Sequence, residues 1–283
     1  MKKIFTLLLL SITISHLQGQ SRSKVEQLAT LGKVWGFLKY YHPSAAKGQP
    51  DWDSVLLRMI PLAEEAKGSS AFNELLQNWV RSLPAAKLAS NPMVWNSDST
   101  ERAFTEIAIE QFKIPGDLKL ELLKLYQLHL PDSSRYITRY YKHHYFDHII
   151  HTEDPHESPA YPDRSMRLLA LFRYWNTIEY FYPHKGLIND WNGVLKKYIV
   201  TFLQAKDLAQ YHLAVSELIH ELPDSHSFLV PGRTQYVAPF RIDYIDGRYL
   251  VGECNDSAAK RWDFQLGDEI IAINGKSVRK REH

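Results

Sequence analysis

Between residues 164 and 223 the apolar positions recur at spacings of three and four: Leu168, Leu171, Phe172, Trp175, Ile178 and Tyr182. That spacing predicts an amphipathic helix with one apolar stripe. Pro183 stops it, because the proline ring removes a backbone donor and clashes with the preceding turn. Asp190, just before Trp191, predicts an N-cap for a second helix carrying Val194, Leu195, Tyr198, Ile199 and Phe202. A third helix is predicted from Leu208 to Leu222, ending at Pro223. Stripes of Trp, Tyr and Phe at helical spacing predict a packed helix core rather than a carbohydrate or cofactor platform.

The same pattern occurs earlier in the chain. Leu31 to Pro43 reads LGKVWGFLKYYHP, and Leu171 to Pro183 reads LFRYWNTIEYFYP. At an offset of 140, Trp35 matches Trp175, Leu38 matches Ile178, Tyr40 matches Tyr180, Tyr41 matches Phe181 and Pro43 matches Pro183. After a one-residue deletion, Asp51-Trp52 matches Asp190-Trp191, Val55-Leu56 matches Val194-Leu195, Ile60 matches Ile199, and Leu83-Pro84 matches Leu222-Pro223. An internal repeat of this kind points to two related helical units, at about 31–84 and 171–223. Between them, Thr105 to Phe112 and Leu118 to Leu130 also read as helical, and Pro155, Pro159 and Pro162 mark a connecting loop.

From about Val237 the period changes. Phe240 to Tyr244 and Arg248 to Gly252 are short runs of strand formers around Asp246-Gly247, which predicts a type I′ hairpin. FQLGDEIIAINGKSV (Phe264 to Val278) adds a turn at Gly267-Asp268, a strand from Glu269 to Ile273 and a second tight turn at Asn274-Gly275.

The amino terminus predicts export. Met1-Lys2-Lys3 is a short positive region, Ile4 to Ile14 an apolar run of eleven residues, and Ser15 to Gln20 a polar stretch. This is the order of a secretory signal peptide, expected over residues 1–19. The run is shorter than the ~20 apolar residues of a membrane span, and no later segment is long and apolar enough to cross a bilayer. The expected location is therefore periplasmic or extracellular. The formal charge of +2 falls to zero once Lys2 and Lys3 are removed, and no basic block interleaved with aromatics occurs. A nucleic-acid partner is not expected. A lone Cys254 excludes an intrachain disulfide and a cysteine zinc site.

Few residues could carry chemistry. Asp224-Ser225-His226-Ser227 follows the end of the second helical unit. A histidine is the usual proton carrier near neutral pH, and Ser225 could fix its tautomer. A capping and turn cluster explains Asp-Ser-His equally well. The equivalent point in the first copy reads Ala85-Ala86-Lys87-Leu88, which suggests that the scaffold itself does not require Ser225 and His226. A second candidate is the histidine-rich segment with His143, His144, His148, His151 and His156. On a helix, His144, His148 and His151 would share a face, but the segment also suits a strand, and no metal or other cofactor is assigned. There is no Gly-x-Ser-x-Gly elbow, His-Glu-x-x-His or phosphate-binding glycine loop.

Tyr161 to Leu229 resembles the helical segment that precedes the PDZ domain in tail-specific (C-terminal processing) serine peptidases, closest to secreted bacterial members similar to the tricorn protease core. VAPFRIDYIDGRYLVGECNDSAAKRWDFQLGDEIIAINGKSV resembles the first part of their PDZ domain, with LGDEIIAING as its strongest signature, and KVWGFLKYYHP with DWDSVLL is similar to their N-terminal region. The resemblance implies an α+β chain: a mainly helical region of two related units, over 21–163 and 164–230, then a partial PDZ-like domain over 236–283. It implies that His226 is a general base and Ser225 an adjacent orienting serine. An α/β core would supply the nucleophilic serine, the oxyanion-hole amides and an acidic partner. Polypeptide substrates or protein C-termini are the implied partners. The resemblance stops at His283, short of that core, so this polypeptide alone is expected to lack peptidase turnover. It is read either as part of an interrupted gene or as a shortened protein, with a non-catalytic PDZ-type binding module of the cell envelope as the alternative function.

Overall fold

The computed structural model describes residues 23–86, 109–127, 134–142, 146–153, 161–182, 184–227, 229, 240–254, 261, 263–273 and 275–278. The expected leader, the Thr105 end of the insert helix, His143, His144 and His156 lie outside them. The chain divides into two compact units, Met1–Phe228 and Leu229–His283. The first is mainly helical and the second carries small antiparallel sheets, an α+β organisation as expected.

In the first unit, α1 (residues 23–41) and α2 (Pro43–Ala46) are followed by α3 (Trp52–Glu65) and α4 (Gly68–Arg81). After α5 (Gly116–Gln127) come strands β1 (Ile137–Lys142) and β2 (Phe146–His151), paired antiparallel. The second copy then supplies α6 (Arg164–Phe181), α7 (Trp191–Gln204) and α8 (Leu208–Ile219). Asp163, Asp190 and Asp207 cap these three helices, each carboxylate accepting the amide three residues on, at 2.8–2.9 Å. The repeat is thus a repeat of structure: α1, α3 and α4 correspond to α6, α7 and α8.

One hydrophobic core runs through both copies, so they are not separate domains. Its centre is the pair α1 and α6. Here the expectation of a single apolar stripe is corrected: α6 also buries Leu169, Asn176, Glu179 and Arg167, because it lies in the interior rather than on the surface. The buried nitrogen donors of Asn176 and Arg167 find acceptors, whereas Asn176 Oδ1 has no hydrogen-bond partner among the described residues. Asn176 Nδ2 donates to the Gly32 carbonyl at 3.0 Å and to the Phe172 carbonyl at 2.8 Å. The Arg167 guanidinium donates to the carbonyls of Phe202 and Pro162, both at 2.8 Å.

Contacts between α1 and α6 join equivalent positions of the two copies. Gly32 faces the Phe172 ring, Gly36 faces Asn176, and the rings of Tyr40 and Tyr180 meet edge-on at 5.8 Å. Contacts at the same offset over three successive turns require the helices to run parallel, side by side about a local two-fold axis. A Cβ on Gly36 would come within 2.0 Å of Asn176, so the absence of a side chain in one copy makes room for the side chain in the other.

Each copy is also closed by a reciprocal tryptophan clasp. Trp35 Nε1 donates to the Trp52 carbonyl at 2.9 Å and Trp52 Nε1 to the Trp35 carbonyl at 3.0 Å. In the second copy Trp175 Nε1 donates to Trp191 O at 2.9 Å and Trp191 Nε1 returns the bond at 3.3 Å. A buried indole N–H must find an acceptor, and each pair answers that need from its own backbone.

The second unit begins with β3 (Phe240–Ile245) and β4 (Arg248–Cys254), an antiparallel hairpin with a bulge between Arg241 and Ile242. Asp246 and Gly247 both have positive φ, 48° and 79°, the type I′ turn that the sequence predicts. Residues 267–270 add to the other edge of β4 through Val251 N–Asp268 O (2.9 Å), Gly267 N–Val251 O (2.8 Å) and Ile270 N–Tyr249 O (2.8 Å). Strand β5 (Ala272–Ile273) then pairs with β6 (Lys276–Ser277) around the Gly275 turn.

Candidate functional site

The loop that leaves α8 carries the catalytic candidates. After α8 ends at Ile219, Leu222 is buried in the core and the chain turns at 224–227, with the Ser227 amide donating to the Asp224 carbonyl at 3.0 Å. Asp224 organises this turn. Its Oδ1 accepts the backbone amide of His226 at 2.9 Å, closing an Asx-type turn, and lies 3.1 Å from His226 Nδ1. The His226 amide, with the ring second, holds the Asp224 carboxyl below the usual carboxylate range. An ionised carboxylate only accepts, so Nδ1 carries the proton and the neutral ring keeps a lone pair on Nε2.

The other carboxylate oxygen is engaged as well. Tyr182, the C-cap of α6, donates its hydroxyl to Asp224 Oδ2 at 3.3 Å. Burial, and then the neighbouring Asp224 charge, push the Tyr182 phenol upward, so it stays protonated as a donor. The ring of His184 packs edge-on against Tyr182 at 5.8 Å. His226 itself is 94% exposed at the side chain. Its pairing with Asp224 is therefore an orienting contact rather than a source of stability.

Ser225 is exposed and makes no hydrogen bond to the His226 ring among the described residues. The residue that orients the ring is Asp224, which the sequence displayed two positions upstream but to which no role was given. Helical spacing places Tyr182 on the apolar stripe of α6 and does not show its contact with Asp224. Its signal was available in the repeat, since position 182 corresponds to His42, and His42 makes the matching tie in copy one.

Of the histidine-rich segment, the described His148 and His151 lie on a strand rather than on a helix. His148 and His151 belong to β2, pairing with Tyr140 and Ile137, so the spacing of four and seven no longer groups them. Among the described residues no cluster of three or more metal-ligating side chains occurs, and no helix is long and apolar enough to cross a membrane.

In the second unit Val251 is buried at the centre of β4, and the Phe240 and Phe264 rings pack at 4.8 Å. Several large apolar side chains remain open, including Ile271 at 62% and Ile273 at 54%. The ordered string of hairpin, Leu-Gly-Asp turn and short strands can be compared with known families, and residues 234–281 match the model of the PDZ domain.

This unit is a PDZ domain. PDZ domains are protein-binding modules that take peptide C-termini, and the open apolar positions lie on that domain. Comparison with curated proteins gave no match, and neither did comparison with solved structures.

Proposed function

We propose that the chain captures the C-termini of exported polypeptides through its PDZ domain and belongs to a serine endopeptidase of the tail-specific type. Two things support the peptidase reading: the resemblance of Tyr161 to Leu229 to the segment preceding the PDZ domain in those enzymes, and the geometry at His226. The observation that carries it is the 3.1 Å contact between Asp224 and His226 Nδ1, which leaves Nε2 as the proton acceptor. A serine hydroxyl is a poor nucleophile until such a base removes its proton. In this reading His226 is the general base, Ser225 stands beside it, and the attacking serine comes from an α/β core of the kind that the resemblance implies.

The test is made in the cell that exports the protein. A chromosomal His226→Ala variant should lose about a hundred-fold or more of C-terminal-dependent proteolysis, the ordinary yield of a general base. Undiminished proteolysis in the variant sinks the assignment.

The PDZ match supports the coarser part, protein binding, and our second reading is a binding module of the cell envelope without catalysis. Fluorescence anisotropy with the purified chain addresses the feature both readings share. A peptide ending in a free carboxylate should bind at least about ten-fold more tightly than its amidated twin, because loss of a paired charge costs ~1.4 kcal/mol or more.

A further inference from the structure

We infer that Asp224 is the positioning carboxylate of His226, and that Tyr182 in turn holds Asp224 in place. This rests on reading His226 as a proton acceptor, and it places the orienting acid within the helical unit rather than on a separate core.

Three observations carry the inference. First, the two oxygens of Asp224 divide their work: Oδ1 takes both the backbone amide and the ring of His226, and Oδ2 takes the Tyr182 hydroxyl. A carboxylate held from both sides cannot rotate away from the ring without breaking bonds to two different segments. Second, the arrangement fixes a protonation pattern. Nδ1–H faces the carboxylate, so a proton arriving from an alcohol goes to Nε2, the imidazolium keeps its Nδ1 proton, and Asp224 stays ionised throughout.

The third observation is the internal control supplied by the duplicated scaffold. His42 is the first-copy counterpart of Tyr182, and Pro84 that of Pro223. In the first copy His42 Nε2 lies 3.1 Å from the Pro84 carbonyl, while its Nδ1 accepts the Ser44 amide at 3.2 Å. The ring therefore donates from Nε2 to Pro84, and the exit of the central helix is tied to the exit of the third helix by a backbone carbonyl. Position 85, the counterpart of Asp224, is alanine. The same mechanical tie is thus made in copy one with no carboxylate and no histidine beyond it. In copy two the tie runs through a charged group that reaches onward to an exposed imidazole, and the fold alone does not call for it. The titratable groups beside this chain of contacts, among the described residues, are His184, packed on Tyr182, and Tyr174, which interacts with Tyr182 and Ser227.

The experiment reads the tautomer of His226 in the 283-residue chain labelled with 15N-histidine, at a pH where the ring is neutral. The His226 signals are assigned by their loss in His226→Gln. The expected result is a dominant Nδ1–H tautomer in the unmodified protein. Asp224→Ala should shift the tautomer ratio about five-fold toward Nε2–H, the loss of one exposed hydrogen bond to a charged group. Tyr182→Phe should shift it about two-fold in the same direction, and Asp224→Glu should restore part of the original ratio. Far-UV circular dichroism and tryptophan fluorescence, unchanged in all three, show that the fold is kept. A dominant Nε2–H form in the unmodified protein, or a ratio unmoved by Asp224→Ala, overturns the inference. The readout uses no substrate, so it stands or falls separately from the proteolysis measured with His226→Ala.

Discussion

The two helical copies share a mechanical design and differ at their buried charges and at their exits. Both close with a reciprocal tryptophan clasp, and both tie the end of the central helix to the loop after the third helix. At the equivalent positions 39 and 179 the charge is inverted. Lys39, fully buried, pairs with Glu153, its Nζ 2.7 Å from Oε2, whereas Glu179 pairs with Lys185. Burial pushes the Lys39 ammonium down and the Glu179 carboxyl up, each against the pull of its partner. The duplicated frame therefore tolerates either sign inside, provided that a counter-charge arrives from a neighbouring segment. What differs in kind is the second exit, where an exposed imidazole stands on an anchored carboxylate. A feature found in one copy only, and dispensable for the frame in the other, is a candidate for function.

This comparison can be broken in graded steps. The largest effect is expected at the buried charges. Glu153→Gln leaves Lys39, at 0% exposure, without its carboxylate partner while Arg173 keeps Asp53, and should cost about 3 kcal/mol or more in urea unfolding. The counterpart Lys185→Met should cost less and in a pH-dependent way. The folded-state pKa of Glu179 is raised above its ordinary 4.5, so its favourable contribution is complete below that value and lost as pH rises through the folded pKa. The penalty of Lys185→Met should accordingly grow as the pH rises above 4.5, and a flat profile would contradict the burial argument.

Next is the helix pair. Gly36→Asn puts a second side chain into space already held by Asn176 and should cost ~2–3 kcal/mol by overpacking. The exchange Gly36→Asn with Asn176→Gly should recover at least half of that loss. Additive losses in thermal melts would show that the local two-fold relation does not extend to this contact. Trp35→Phe and Trp175→Phe each remove an indole donor from a clasp and should each cost about 1 kcal/mol, alike within error. The smallest effects belong to the exits. His42→Ala loses a helix cap and should cost ~1 kcal/mol, whereas His226→Ala should leave stability within about 0.5 kcal/mol, its ring being exposed.

Much of this architecture was legible because it is local. The offset of 140 between Trp35 and Trp175, and the paired Asp51-Trp52 and Asp190-Trp191, mark the duplication along the chain itself. Asp190 before Trp191 predicts a cap and accepts the Gly193 amide, and Asp246-Gly247 predicts a I′ turn and has both residues at positive φ. The helical reading of α6 missed its interior position. Periodicity tests for one wet face, and a helix covered on every side has none. Asn176, Glu179 and Arg167 lie off the predicted stripe and are buried with their partners. In the candidate site, Ser225 was the neighbour in sequence, but the ring is held by Asp224, because an Asx turn folds a side chain back two residues.

The sequence by itself determined the duplicated helical units, the capped helix starts, the hairpin and the lone Asp-Ser-His exit, since each depends on spacing along a few turns of chain. Only the tertiary structure decided that equivalent positions of the two copies pack against each other, that Lys39 and Glu179 find opposite partners, and that Tyr182 reaches Asp224. Those pairings join segments from 6 to 144 residues apart. The free energy that selects them comes from close packing and desolvation, which exist only once the chain has brought the surfaces together.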